Sequence, residues 1–133
     1  MNRFAIDTNI PIYSHDEIAL DKQSIARDLI VRSPVISSQT LSEYISVLRR
    51  IIKIPKEFVI SACIPNFKHC QIKIVDIPTL QTAEHLIQRY DFQIFDAIII
   101  ASALETGCDI LYSEDMQHNI KIERKLTIIN PFL

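Results

Sequence analysis

Apolar positions along the chain follow two periods that alternate. Short, mainly apolar runs at Arg3 to Ile6, Pro34 to Ser37, Asp109 to Tyr112 and Leu126 to Ile129 are bounded by turn residues and read as buried strands. Gln71 to Ile77 alternates Ile72, Ile74 and Asp76 against Lys73 and Val75 ahead of Pro78, and reads as another strand. Between these runs the spacing turns helical. Ile25, Leu29 and Arg32 share a face within Asp21 to Arg32. Leu41, Tyr44, Ile45, Leu48 and Ile52 recur at three and four residues behind Thr40, and Leu80, Ala83, Ile87 and Tyr90 mark a helix from about Pro78 to Tyr90. Pro55 suits the first turn of a further helix toward Lys68, which Pro65 ends or kinks. Ile94 to Thr106 is apolar on nearly every side around Ile98-Ile99-Ile100-Ala101, as a helix covered by neighbours would be. Gly107 closes it, and a left-handed residue just past the helix end predicts positive φ there.

Strands that alternate with helices, without two-residue hairpin signals such as Asn-Gly, imply crossover connections between parallel strands. The expected class is α/β, a central parallel sheet flanked by helices, with residues 1–133 forming one domain. Such sheets bind ligands at the carboxyl ends of their strands. Two acids fall there independently, Asp7 after the first strand and Asp115 after the strand Asp109 to Tyr112.

Composition narrows the chemistry. The chain has a single glycine, which excludes a glycine-rich dinucleotide fingerprint and a P-loop. Fourteen Lys and Arg against sixteen Asp and Glu leave a net charge of −2, so no global attraction draws in nucleic acid. A phosphate-bearing partner must be held by a local patch or through a metal. The apolar run before Asp7 is too short for a signal-peptide core, and no apolar stretch reaches the length of a membrane span. Cys63, Cys70 and Cys108 lack C-x-x-C spacing and are expected to be reduced core thiols in a cytoplasmic protein.

Each acid at an element end has an ordinary structural reading. Asp7 or Asn9 suits an N-cap, Asp96 suits the N-cap of the helix Ala97 to Thr106, Thr40-x-x-Glu43 fits a capping box, and Asp115 suits an exposed turn. Their convergence suggests another use. Oxygen-rich clusters of carboxylates suit hard divalent cations such as Mg²⁺ or Mn²⁺, and without a cation the acids would repel one another and raise some of their pKa values. A metal would also supply the positive charge that composition lacks. Metals in such sites activate water and stabilise the leaving oxygen in phosphodiester cleavage.

An ordered series of motifs supports that use. It comprises Phe4-Ala5-Ile6-Asp7-Thr8-Asn9, then Ser38-Gln39-Thr40-Leu41-Ser42-Glu43-Tyr44, then Phe95-Asp96-Ala97-Ile98-Ile99-Ile100-Ala101-Ser102-Ala103. Leu111-Tyr112-Ser113-Glu114-Asp115-Met116-Gln117 and Ile129-Asn130-Pro131-Phe132 complete it. In this series the chain resembles the PIN-domain ribonucleases, and among them the VapC toxins of type II toxin–antitoxin systems. The resemblance implies a three-layer PIN-like fold. It also implies an acidic metal-binding quartet of Asp7, Glu43, Asp96 and Asp115, with Asn9, Thr8 and Ser113 in support. The implied activity is endonucleolytic hydrolysis of RNA by water activated with Mg²⁺ or Mn²⁺. The implied partners are a second copy of the chain and a VapB-type antitoxin whose C-terminal segment covers the acidic site. Ser42, Phe95 and Asn119 stand where relatives often carry Asn, Trp and Gly, which touches packing and loop geometry and leaves every carboxylate in place.

Arg49, Arg50, Lys53 and Lys56 follow Glu43 and are candidate RNA phosphate contacts, or else a solvated helix face. The four histidines lack metal-ligand spacing, and only His118 lies near Asp115 in sequence. Twenty-six isoleucines give more apolar surface than one small sheet needs, which fits a dimer or a partner groove. An aspartyl-nucleophile phosphatase would need an acid where Asn9 stands, and a receiver domain would need an acid pair at a strand end, where Asp16-Glu17 does not lie. The remaining alternative is a catalytically silent PIN-fold module that binds RNA or protein.

Overall fold

A computed structural model describes residues 3–133. Strand β1 (Phe4–Ile6) leads into the short helix α1 (Asn9–Tyr13), followed by α2 (Leu20–Val31), β2 (Val35–Ser37) and α3 (Ser38–Ile51). A 3₁₀ turn (Lys56–Phe58) enters α4 (Val59–Phe67), and then come β3 (Gln71–Lys73), α5 (Ile77–Tyr90), α6 (Ile94–Glu105), β4 (Ile110–Tyr112), β5 (Lys121–Ile122) and β6 (Leu126–Ile129). The strands form one six-stranded sheet in the order β3-β2-β1-β4-β6-β5. All neighbouring pairs are parallel except β5 with β6.

Successive strand residues point to opposite faces, and both faces are covered. Ala5, Val35, Leu111 and Ile128 pack into one core with Ala83 and Leu86 of α5 and the buried stretch Ala97 to Ala101 of α6. Ile6 and Ile36, one residue further along β1 and β2, belong to a second core with Ile10 of α1, Leu29 of α2, Tyr44 and Leu48 of α3 and Phe67 of α4. The hydroxyl of the fully buried Tyr44 accepts from Asn66 Nδ2 at 3.1 Å and contacts His15 Nε2, which ties the α1 exit, α3 and α4 together. Burying each Leu, Ile or Phe of these cores contributes roughly 1.5–3 kcal/mol, so the sandwich of helices and sheet is the main source of cohesion. Among the described residues, no helix is long and apolar enough to cross a membrane.

The α/β expectation holds, with corrections at the sheet edge and at element ends. Parallel connections throughout were expected because Asn-Gly is absent, yet β5 and β6 form a hairpin. Its turn places Glu123 and Arg124 at φ 52° and 58°, closed by Lys125 N donating to Ile122 O at 3.0 Å. Two left-handed non-glycine residues are unfavourable alone. Here α5 holds them, since the Glu123 amide donates to the Tyr90 hydroxyl at 3.0 Å and His85 and Arg89 face the Glu123 carboxylate. Strand β3 stops at Lys73, short of Ile77, because Asp76 caps α5 by accepting from Thr79 N at 3.1 Å. The helix expected from Pro55 divides into the 3₁₀ turn and α4, and Pro65 sits inside α4 near its end.

Gly107 has φ +73°, as expected, and the chain closes α6 with Gly107 N donating to Leu104 O at 3.1 Å and Cys108 N to Ala103 O at 3.0 Å. A Cβ at Gly107 would meet nothing within 4 Å. Only the backbone conformation therefore resists substitution, and Gly107→Ala should lower unfolding free energy by about 1–2 kcal/mol. Gly107→Asn should lose less, because Asn tolerates the left-handed region; denaturant titration of both variants checks the order.

Candidate active site

The strand that follows β1 in the chain, β2, lies on one side of it, and β4 lies on the other. At such a reversal the connections part and leave a crevice at the carboxyl ends of the strands. Strands β1 and β4 run in register, with Ile6 opposite Tyr112, so Asp7 and Ser113 leave the sheet side by side. The Asp7 amide donates to Tyr112 O at 2.9 Å and continues the ladder one residue past the strand. Glu43 reaches the same end from the second turn of α3, which follows β2 directly, and Asp96 from the first turn of α6.

Asp7 is buried, and both carboxylate oxygens are held. Oδ1 accepts from Thr8 N at 2.7 Å and Oδ2 from Ser113 Oγ at 2.8 Å. Burial is the largest influence on its pKa, which stands at about 6 despite these two hydrogen bonds, and the neighbouring charges of Asp96 and Glu43 push in the same direction. Asp96, half-buried, is raised by burial and then by Asp115 and Glu43. The charge of Glu43 thus reaches both buried aspartates, and that of Asp115 reaches Asp96. Glu43 is oriented by two donors, Thr8 Oγ1 at 2.7 Å on Oε2 and Gln39 Nε2 at 2.6 Å on Oε1. Asp115 is exposed at the outer rim.

The capping readings of these acids do not survive. Ser37, not Thr40, caps α3 by accepting from Thr40 N at 3.0 Å, so Glu43 lies a turn inside the helix and its carboxylate is free to meet Thr8. Gln93 occupies the N-cap of α6, and Asp96 sits beyond it. Thr8 stands at the N-cap of α1, and neither Asp7 nor Asn9 caps that helix.

Two contributions escaped the sequence reading. Gln39 orients Glu43 from one turn earlier on α3, a spacing visible in sequence once Glu43 is suspected. The other is a clasp on the loop after β4: Glu114 accepts from Tyr13 Oη and from Lys22 Nζ, both at 2.6 Å, and Lys22 lies over the rings of Tyr13 and Phe132. Burial opposes ionisation of Glu114, but the two donors outweigh it and hold its carboxyl below the ordinary glutamate value. The Glu114 carboxylate is thereby engaged, and the loop carrying Asp115 is pinned. No local pattern announces a contact between residues 92 positions apart.

A family model of the PIN domain matches residues 4–122. The chain belongs to the PIN-domain family. No curated protein sequence matches it. Three solved PIN-like structures are similar in fold. VapC20 of Mycobacterium tuberculosis, a toxin that cleaves the sarcin–ricin loop, shares 18% identity over 84% of this chain and 89% of that one, with a TM-score of 0.65. A toxin–antitoxin complex from Klebsiella pneumoniae shares 20% identity over 98% of each chain, TM-score 0.68. VapBC2 of Rickettsia felis, bound to a fragment of promoter DNA, shares 16% over 96% of this chain and 98% of that one, TM-score 0.69.

The donors of this PIN domain fit a hard divalent cation in kind. They are carboxylate oxygens crowded by like charge, and the amide of Asn9, two residues after Asp7, has both Nδ2 and Oδ1 buried without a hydrogen-bond partner. Among the described residues, no three acids already stand close enough to hold one ion together. Asp7, Glu43, Asp96 and Asp115 are the residues that would hold it. The candidate basic residues sit at the end of α3 and beyond it. All four are exposed; Arg49 and Arg50 end α3, and Lys53 and Lys56 follow it. His118, the histidine nearest Asp115 in sequence, accepts from Asn130 N through Nδ1 at 2.9 Å and serves the C-terminal segment. Asn119, which replaces a common family glycine, adopts φ 69° and so keeps the glycine-like turn.

Asp7 rises from 3.8 to about 6 on folding, so its ionisation opposes the folded state. The group is protonated in both states below its unfolded value, and the metal-free protein loses roughly 3 kcal/mol from this source as pH climbs past the folded value. Asp7→Asn should raise the melting temperature near pH 8 and flatten its decline between about pH 4 and pH 7. Thermal melts across that range test this, and an unchanged slope in the variant would contradict the burial argument.

Proposed function

We propose that this PIN domain is a divalent-metal-dependent endoribonuclease, the toxin of a toxin–antitoxin pair, that hydrolyses RNA phosphodiester bonds. The observation that carries the reading is the set of acids around the buried Asp7 at the carboxyl end of β1: Glu43 is linked to it through Thr8, and Asp96 lies near enough that burial and the neighbouring acidic charges raise the pKa of both aspartates. Natural sequences keep such local conflicts where function needs them. Mg²⁺ or Mn²⁺, when bound, would activate the attacking water and neutralise the phosphate. Ser113 and the Thr8 amide aim the Asp7 carboxylate, Thr8 and Gln39 aim Glu43, and the clasp on Glu114 pins the loop that carries Asp115.

The same reading takes in the partners. The antitoxin complexes among the structural neighbours support a VapB-type antitoxin as partner, whose C-terminal segment would cover the acidic site. Exposed Phe58, Ile60 and Ile64 around the start of α4 support a homodimer. The three free cysteines support a cytoplasmic location. One sheet built from strands near both ends of the chain supports residues 1–133 as a single domain.

Purified protein freed of any antitoxin should cut RNA with Mg²⁺ or Mn²⁺. EDTA or Asp96→Asn should remove that cutting by at least about 10²-fold, the scale at which preorganised charge matters in catalysis. Cleavage that survives both would sink the mechanism. On the RNA side, Arg50 follows Glu43 by seven residues on α3. It therefore lies about 20° from the Glu43 stripe and about 10 Å along the axis, whereas Arg49 is turned roughly 120° away. Arg50→Ala should weaken RNA binding more than Arg49→Ala when anisotropy is measured on a labelled oligonucleotide.

A further inference from the structure

We propose that the recess at the β5 edge of the sheet, lined by Arg89, Tyr90, Lys121, Glu123 and Arg124, is a second contact for RNA that grips backbone phosphates away from the acidic site. The inference rests on the ribonuclease reading above. It places a positive surface apart from Arg49, Arg50, Lys53 and Lys56 on α3 and its exit.

The recess has a volume of about 350 Å³ and is walled almost entirely by charged side chains. Its one acid is already engaged: Glu123 lies 3.1 Å from His85 and 3.7 Å from Arg89. Among the described residues, Lys121 and Arg124 form no ion pair, so their charges are available to an anion. In a chain of net charge −2, such a local excess stands out. A guanidinium and an ammonium directed into one recess match phosphate oxygens, the first through paired N–H donors and the second as a point charge.

The walls are stiff. Arg124 stands in the left-handed region at φ 58°, and the turn beneath it is anchored by the Glu123 amide on the Tyr90 hydroxyl. Tyr90 stacks on Phe92 with ring centroids 5.3 Å apart, and the Arg89 guanidinium lies over its ring at 5.6 Å. With its ring engaged by Phe92 and Arg89 and its hydroxyl already bonded, Tyr90 has little to offer a nucleobase. The contact is therefore to the backbone and indifferent to sequence.

Anisotropy with fluorescein-labelled single-stranded RNA of about 30 nucleotides, in EDTA so that nothing is cut, tests the site on the full chain. Lys121→Glu/Arg124→Glu should weaken binding at low salt by about tenfold or more, and should lower the slope of log affinity against log salt by about 1.4, the value for two lost single-strand phosphate contacts. Lys121→Gln/Arg124→Gln, which removes charge without reversing it, should shift both in the same direction and guards against a folding defect in the reversal variant. Poly-U and poly-A should lose affinity equally. A control reversal of the same net charge elsewhere, Arg32→Glu/Lys68→Glu, should change affinity far less. Equal loss in the control, or an unchanged RNA affinity, overturns the site. So does an effect confined to polyglutamate, which would make the recess a contact for an acidic protein segment. If the wild-type chain cuts RNA with Mn²⁺ while the double variants bind RNA normally, the second contact fails and the ribonuclease reading stands. If the wild-type chain neither binds nor cuts RNA, both fall.

Discussion

Asp7 leaves β1 where β1 and β4 lie side by side in register, so the sheet carries its carboxylate into a place that water barely reaches. Removal from water works against a charge, and hydrogen bonds from Thr8 and Ser113 recover only part of that loss, which is why the group stands near 6. The other acids are placed relative to this one. Glu43 is drawn in through Thr8, the next residue along the chain, and Ser113 comes from the strand that pairs with β1. A free carboxylate at Glu114 would add to the repulsion; Lys22 and Tyr13 take it out of the cluster.

The two cores hold this arrangement from both sides. Neighbouring residues of β1, Ala5 and Ile6, face opposite cores, so the strand that ends in Asp7 is clamped between α5 and α6 below and α1 to α4 above. Tyr44 lies one residue after Glu43, fully buried, with its hydroxyl bound by Asn66. The helix face that buries Tyr44 thereby sets the direction in which Glu43 points. Rigid elements of this kind carry charged side chains into crowded positions that a loop would not maintain.

Charge is distributed unevenly over the molecule. Acids gather where β1 and β4 end, and cations gather at the β5 edge, around a hairpin whose turn lacks glycine. That hairpin shows why turn signals alone mislead. Glu123 and Arg124 have weak turn propensity, and their left-handed conformation is sustained by Tyr90, His85 and Arg89 of α5, more than thirty positions earlier.

Much of the molecule was legible in the sequence. Period-two and helical spacings located most strands and helices, the glycine at 107 announced its own backbone conformation, and the motifs around Asp7, Glu43, Asp96 and Asp115 carried the PIN resemblance that residues 4–122 bear out. These features are local, because burial periodicity, φ preference and motif spacing are properties of neighbouring residues. What the sequence could not decide lies in contacts between distant segments. Thr40 with Glu43 reads as a capping box until Ser37 takes the cap and Thr8 claims the carboxylate. Lys22 and Glu114 look like ordinary surface charges until the fold brings α2 against the loop after β4. Electrostatics depends on distance and burial, and both are set only when the two faces of the sheet are packed.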